Sequence, residues 1–438
     1  MARRGLARSS VLKLWELSPP VASLAVVGVI GLTTSTMSAR LLSPAGRGDL
    51  LAIQVVPLFL TALSAGGLPE AILFARPIGS TPAGMRRVAL RIVARYSLLA
   101  TGIGWLYLAV FRRHSHVFQA AVITVIIAPL ASLYEVSIAF ARRAGRLVLW
   151  STLRLAAPVI WLSVLGTGTL LRIRSAAVLS YMQVSAYGLL AVGAVVALYR
   201  PDSLHRAHVE AADLVRKARA TVVGQMFKVL TLRLDLLLMP SIATNVEAGW
   251  YATATSWSWL ATPWLTGLSS ALTPFLQRRA GYVDRAATRR LLALGMAATL
   301  AIGLGGWMVT GLLFSRVFGT DFAPAVGIAQ ILMVAAAVAA YNLWAAELAR
   351  NRGRMWIPAV CEVPSIVVFL LVLFGGKHSM GAPKAAAWGS LLGYSTTAVL
   401  LSIAVWSSRR VVEAPHISVG PMPLDGLPTV DETGQTPP

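Results

Sequence analysis

Within one apolar stretch of this chain, residues 220–242, fall Gln225, Lys228, Thr231, Arg233 and Asp235. At roughly 100° per residue, a helix puts Gln225, Lys228, Thr231 and Asp235 on one polar stripe, with Lys228 and Asp235 two turns apart. Arg233 points elsewhere and needs its own partner. Lys228 or Arg233 could hold a phosphate, with Asp235 as counter-ion or protonatable switch. The same residues could instead form structural pairs that lock helices together. A charge within hydrocarbon is costly, so such residues face a bundle interior or a wet cavity.

A second candidate is Glu70, which follows Gly66-Gly67-Leu68-Pro69. Breaks at membrane depth line cavities, although Glu70 could also be interfacial. Glu135, Arg154 and Glu362 are lone ionisable residues for which inter-helix pairs are expected, and Arg95 is expected to snorkel. Trp250, Tyr251, Trp257, Trp259 and Trp264 cluster together. An interfacial belt is the expectation for them, with a sugar-stacking platform as the alternative. Arg47-Gly48-Asp49 reads as an outer turn. His205 and His208 read as solvated linker residues. The single cysteine, Cys361, has no partner for an intramolecular disulfide, and no metal-ligand spacing accompanies it. The sequence has no Gly-x-x-x-x-Gly-Lys-[Ser/Thr] loop, Gly-x-Ser-x-Gly elbow or His-Glu-x-x-His pair, so neither ATP hydrolysis nor another enzymatic activity is expected. No cofactor is implied.

The elements that must position these residues are membrane helices. Of the 438 residues, 56% are hydrophobic and only 13% charged, with a mean hydropathy of +0.69. Soluble domains carry about 25% charged residues. Apolar stretches near the length that crosses a bilayer core recur twelve times: 20–42, 50–75, 88–111, 117–140, 147–171, 176–199, 220–242, 249–276, 291–315, 323–348, 356–376 and 384–407. The expected fold is therefore an all-α polytopic membrane protein. The net charge of +22 lies in short clusters between spans, as topology signals do, and does not form a nucleic-acid-binding face. Alternate loops and ends carry 26 and nine Lys plus Arg, which assigns both termini to the cytoplasm and the chain to the plasma (inner) membrane. No cleavable signal peptide is evident, because the apolar run from Val21 is too long and no small-residue cleavage site ends it.

The chain also repeats itself at an offset of about 205 residues. Ala141-Arg142-Arg143-Ala144-Gly145-Arg146 after span four matches Ala349-Arg350-Asn351-Arg352-Gly353-Arg354 after span ten. Arg86-Arg87 and Gly104-Trp105 around span three match Arg289-Arg290 and Gly306-Trp307 around span nine. Two halves of six spans each enter from the same side, so an axis along the membrane normal relates them. The expected division is a cytoplasmic arm (1–19), a six-helix bundle (20–200), a linker (201–219), a second bundle (220–410) and a disordered cytoplasmic tail (411–438).

Particular residues resemble a known family. Ser38-Ala39-Arg40-Leu41-Leu42-Ser43-Pro44-Ala45-Gly46-Arg47-Gly48-Asp49-Leu50 and Gly66-Gly67-Leu68-Pro69-Glu70-Ala71 look like the opening of the polysaccharide flippases. These form a branch of the multidrug/oligosaccharidyl-lipid/polysaccharide exporter superfamily. Arg233-Leu234-Asp235, Ala248-Gly249-Trp250-Tyr251-Ala252, Pro274 and the Leu313-to-Gly319 loop continue the likeness. The resemblance implies two bundles forming a V, with alternating access. It also implies flipping of a polyprenyl-pyrophosphate-linked oligosaccharide, with polysaccharide-assembly proteins as possible partners. The peptidoglycan-precursor flippases of the superfamily have fourteen spans and early arginines, whereas span one here carries Thr33-Thr34-Ser35-Thr36. That difference favours surface polysaccharide. The alternatives are a multidrug or small-molecule exporter of the same superfamily and a membrane-embedded polymerase or ligase. Outer loops shorter than about ten residues count against the last.

Overall fold

The computed structural model describes residues 2–74, 82–113, 115–143, 146–199, 211–261, 285–351 and 356–407. The tail from Val411, His205, His208, Trp264, Pro274 and Arg352 to Arg354 lie outside them. All regular structure among the described residues is helical. Hydrocarbon offers no partner for a free N–H or C=O, so each apolar stretch satisfies its backbone internally.

The first half comprises α1 (Ala2–Ser64), α2 (Leu68–Phe74), α3 (Pro82–Phe111), α4 (Phe118–Thr124), α5 (Ile127–Arg143), α6 (Leu147–Leu170) and α7 (Ala176–Tyr199). The second comprises α8 (Ala211–Ile242), α9 (Asn245–Ser258), α10 (Arg285–Phe318), α11 (Val326–Asn351), α12 (Ile357–Met380) and α13 (Ala382–Trp406). Short 3-10 turns follow α9 and α10. Among the described residues, nine helical stretches are long and apolar enough to cross a membrane. Val26–Ser64, which is one of them, contains the first span and most of the second. Asp213, Arg216, Lys217 and Arg219 enter the helix that carries the seventh, and the eighth runs on beyond the described residues. Leu98, Leu106, Val148, Leu170, Leu304 and Leu371 point outward, as expected when lipid is the solvent.

A straight helix the length of α1 would extend about 95 Å, far beyond a bilayer core of about 30 Å. It breaks at Ser43, where φ is 61° and ψ is 173°. Pro44 follows and has no N–H to continue the ladder. The arm after the break runs beside α4 and α5: Thr124 Oγ1 donates to the Ile53 carbonyl at 3.2 Å, and Ser132 Oγ donates to the Thr61 carbonyl at 3.0 Å. The break expected at Gly66-Gly67 is present. Both glycines adopt positive φ, 58° and 69°, which a side chain at either position would resist.

The structure moves one boundary. Residues 211–219, read from sequence as linker, form the first turns of α8. Arg216, Lys217 and Arg219 are good helix formers and let the helix project beyond the apolar span. Leu214 and Ala218 of this extension pack with Leu68, Ile72, Val93 and Phe140 of the first half. At the other end of the bundle, Ala39, Val55 and Leu60 share one apolar cluster with Met239, Tyr251, Phe314 and Leu332 of the second half.

Candidate functional site

The two halves meet where the few arginines of the sparsely charged loops lie. Here the arm after Pro44 and helix α9 approach each other reciprocally. A Cβ added at Gly48 would overlap the Asn245 carbonyl, and one added at Gly249 would overlap the Pro44 carbonyl. In each helix the glycine stands four residues after the residue that the opposite glycine meets, so the contact has approximate two-fold symmetry. Asn245 Nδ2 donates to Asp49 Oδ1 at 2.9 Å, and the same carboxylate oxygen pairs with His116 Nε2 at 3.0 Å. Arg47 reaches across to donate to Ser256 Oγ at 3.2 Å. Arg40 donates to the Val317 and Arg316 carbonyls at the end of α10, at 3.0 and 3.3 Å. Unsatisfied carbonyls at a helix C-terminus favour such a cation. Together these contacts close the arginine-poor end.

Deeper in the second half, Asp235 is 5% exposed. Tyr251 Oη donates to its Oδ2 at 2.6 Å, and the Leu236 N–H donates to its Oδ1 at 2.8 Å. Asp235, Thr255, Ser258, Trp259 and Tyr394 line a small cleft whose remaining wall is mostly alanine and leucine of α11. Arg233 stacks on Trp259, its guanidinium carbon 4.4 Å from the ring centroid. Cation–π contacts of this kind offset part of the desolvation of a buried cation.

Asp235, expected as counter-ion to Lys228 or Arg233, forms no ion pair with Arg233 among the described residues, nor with Lys228. Seven residues of helix separate it from Lys228 by about 10 Å along the axis, whereas Tyr251 of α9 stands directly beside the carboxylate. Lys228 is partly buried and has no hydrogen bond or ion pair among the described residues. Gln225 is partly buried one turn away, and the Thr231 hydroxyl is buried without a described hydrogen-bond partner. The stripe therefore exists but is not linked into a network. The side chain of Glu70 lies outside the described residues, although its backbone belongs to α2. Of the aromatic cluster, Trp250 donates to the Asp321 carbonyl at an exposed position. Trp257 and Tyr251 depart from the belt expectation: both are core residues. Trp257 Nε1 donates to Thr310 Oγ1 at 2.7 Å, and its ring packs edge-on against Phe314 and Phe318.

Sequence reasoning missed Arg40, Arg47, Gly48, Asn245 and Gly249 as working residues. The repeat could have exposed the glycines. Each follows a helix-starting residue, Pro44 or Asn245, by one turn, in corresponding positions of the two halves.

This is a membrane-embedded helical fold in two related halves, and it is the fold of known exporters. The chain is similar to MurJ, a lipid II flippase in an inward closed conformation, with a TM-score of 0.67 at 10% identity over 88% of this chain and 86% of that one. It is similar to an inward-facing multidrug resistance MATE family transporter of the MOP superfamily, with a TM-score of 0.61 at 11% identity over 87% and 94%. It is also similar to the MATE multidrug transporter DinF-BH, with a TM-score of 0.57 at 14% identity over 91% and 96%. No protein-family model and no curated protein matches the sequence.

Proposed function

We infer that the protein is a flippase that moves a polyprenyl-pyrophosphate-linked oligosaccharide across the plasma membrane by alternating access, for export of surface polysaccharide. Both termini are assigned to the cytoplasm, so the closed arginine-poor end faces outward. The observation that carries the reading is the positive charge on α8, which Asp235 offsets only in part and without an ion pair among the described residues. Lys228 and Arg233 have no carboxylate within ion-pair distance among the described residues, and both oxygens of Asp235 are already engaged by Tyr251 and Leu236. A pyrophosphate crossing hydrocarbon needs such charge, and charges interact far more strongly there than in water. Gln225 and Thr231 offer polar neighbours on the Lys228 face, and Glu70 remains a candidate at the break before α2. The fold shared with a lipid II flippase is compatible with a lipid-linked substrate.

The test is a Lys228→Ala/Arg233→Ala double variant, scored for surface polysaccharide and for membrane abundance. Loss of export at unchanged abundance is expected. Full export would remove these residues from the phosphate site. A second reading, ion-coupled export of multidrug-type small molecules, draws on the buried Asp235 beside an apolar cleft. It predicts that Asp235→Asn abolishes drug efflux while the double variant retains it.

A further inference from the structure

A different basic cluster lies at the arginine-rich end of the first half, away from the seam and the Asp235 cleft. Helix α5 ends in Arg142 and Arg143, and α6 begins directly after Arg146. Arg146, Trp150 and Arg154 are spaced by four along α6, so they form one stripe. Trp150 is buried. The Arg142 guanidinium carbon is 5.9 Å from its ring centroid and that of Arg154 is 5.3 Å away. Arg142 and Arg146 are exposed, and Arg154 is partly buried. Glu135 and Arg142 are both close enough to Arg154 to act on it electrostatically. Arg143 faces elsewhere and donates to the Ile72 carbonyl.

Three features of this cluster call for an anion. First, two guanidinium groups, those of Arg142 and Arg154, flank one indole and act on each other electrostatically, with Arg146 one turn before the indole and Glu135 as the acid that acts on Arg154. Like charges held this close at the margin of hydrocarbon repel unless an anion lies between them. Second, the start of α6 presents its first N–H groups at the same place, with no side-chain cap. A helix start of this kind attracts phosphate. Third, the internal repeat does not require the cluster. Eight residues after the last arginine of the matching turn, the second half has Glu362 where the first has Arg154. The positive-inside bias accounts for the turn arginines of both halves but not for a cation a further two turns into the span.

We propose that Arg142 and Arg154, flanking Trp150, form with Arg146 at the start of α6 a binding site for the phosphate headgroup of an anionic membrane phospholipid. The level at which the site lies favours a lipid over a free phosphate. It stands where α6 enters its apolar span, and Val148, the second residue of the helix and the first of the span, is 78% exposed. A headgroup there can accept from Arg142 and Arg146 while its acyl chains follow α6 into the bilayer. Basic pockets between helix ends bind anionic headgroups on these terms.

The test uses the full-length protein in vesicles of equal phosphatidylglycerol and phosphatidylcholine, extracted gently and weighed with its retained lipid by native mass spectrometry. Wild type should retain phosphatidylglycerol preferentially. Arg142→Gln/Arg154→Gln should reduce that retention at least tenfold per folded monomer, and Arg289→Gln, which removes the arginine stacked on Trp406, should not. Should the double variant fail to fold, the exposed Arg142→Gln alone must still lower retention several-fold. Equal retention of the two lipids by wild type would overturn the proposal. So would unchanged retention in the variants, or displacement of the lipid by millimolar inorganic phosphate, which would identify a free-phosphate site.

Discussion

Replacing Gly249 by alanine tests whether the arginine-poor end must separate and close again. The added methyl would overlap the Pro44 carbonyl and crowd the Gly48 N–H, and both are backbone atoms that no rotamer change can move. The whole of α9 would have to retreat from the arm after Pro44. Overpacking of this kind costs about 1–3 kcal/mol, which lowers the ratio of closed to open forms roughly 5- to 150-fold. Alanine is favoured over glycine within a helix by about 1 kcal/mol, so a loss of closure would not come from a weakened α9. Ala252 lies on the same helical face and is 6% exposed, so it can report on the seam. In a Cys361→Ser background, Ala252→Cys should be nearly inert to a membrane-impermeant maleimide added from outside. With Gly249→Ala it should react at least fivefold faster. Gly48→Ala should act in the same direction, and the double variant should fall short of additivity, because one separation relieves both clashes. Gly188→Ala, which has open space around it, is the control. Unchanged labelling at Ala252→Cys in both glycine variants would show that the seam does not govern access.

Arg47→Ala should leave membrane abundance unchanged but speed the same labelling, because it removes a charge-assisted hydrogen bond worth about 1.5–3 kcal/mol across the seam. Tyr251→Phe strips the Asp235 carboxylate of one partner and should destabilise the protein by about 1–3 kcal/mol in a thermal melt, with Asp235→Asn restoring part of the loss. Cysteines at Arg113 and Arg146 should label from opposite sides of the membrane, Arg113→Cys in intact cells and Arg146→Cys only after permeabilisation. Labelling of both in intact cells would refute the assigned orientation.

The helical fold was legible because hydrocarbon imposes a single rule on every span. Apolar length was enough to mark the helices, and Gly66-Gly67 with Pro69 was enough to anticipate the break there. The α8 extension was misread because its charges suggest solvent, yet Leu214 and Ala218 alternate with them and face the first half. The stripe on α8 was legible as a pattern, but the partner of Asp235 was not. Tyr251 is sixteen residues away, and only the packing of α9 brings it alongside. The seam was the least legible feature. Its glycines act through the absence of a side chain, which has meaning only when another backbone lies opposite.

Helix α8 has a mechanical consequence. One continuous element of 32 residues is tied at its first turns to the first half, through Leu214 and Ala218, and at its far end to the second, through Asp235 and Met239. In the alternating-access mechanism proposed above it acts as a strut bridging two bodies that rock, and rotation would be taken up by bending within it. Pro240 supplies a compliant joint, since its ring cannot donate to the Leu236 carbonyl. The joint lies one turn beyond Asp235, whose carboxylate holds the Leu236 N–H. Flexure at Pro240 therefore pulls directly on the peptide that Asp235 grips, and torque between the bodies is transmitted to the one buried acid of the cleft.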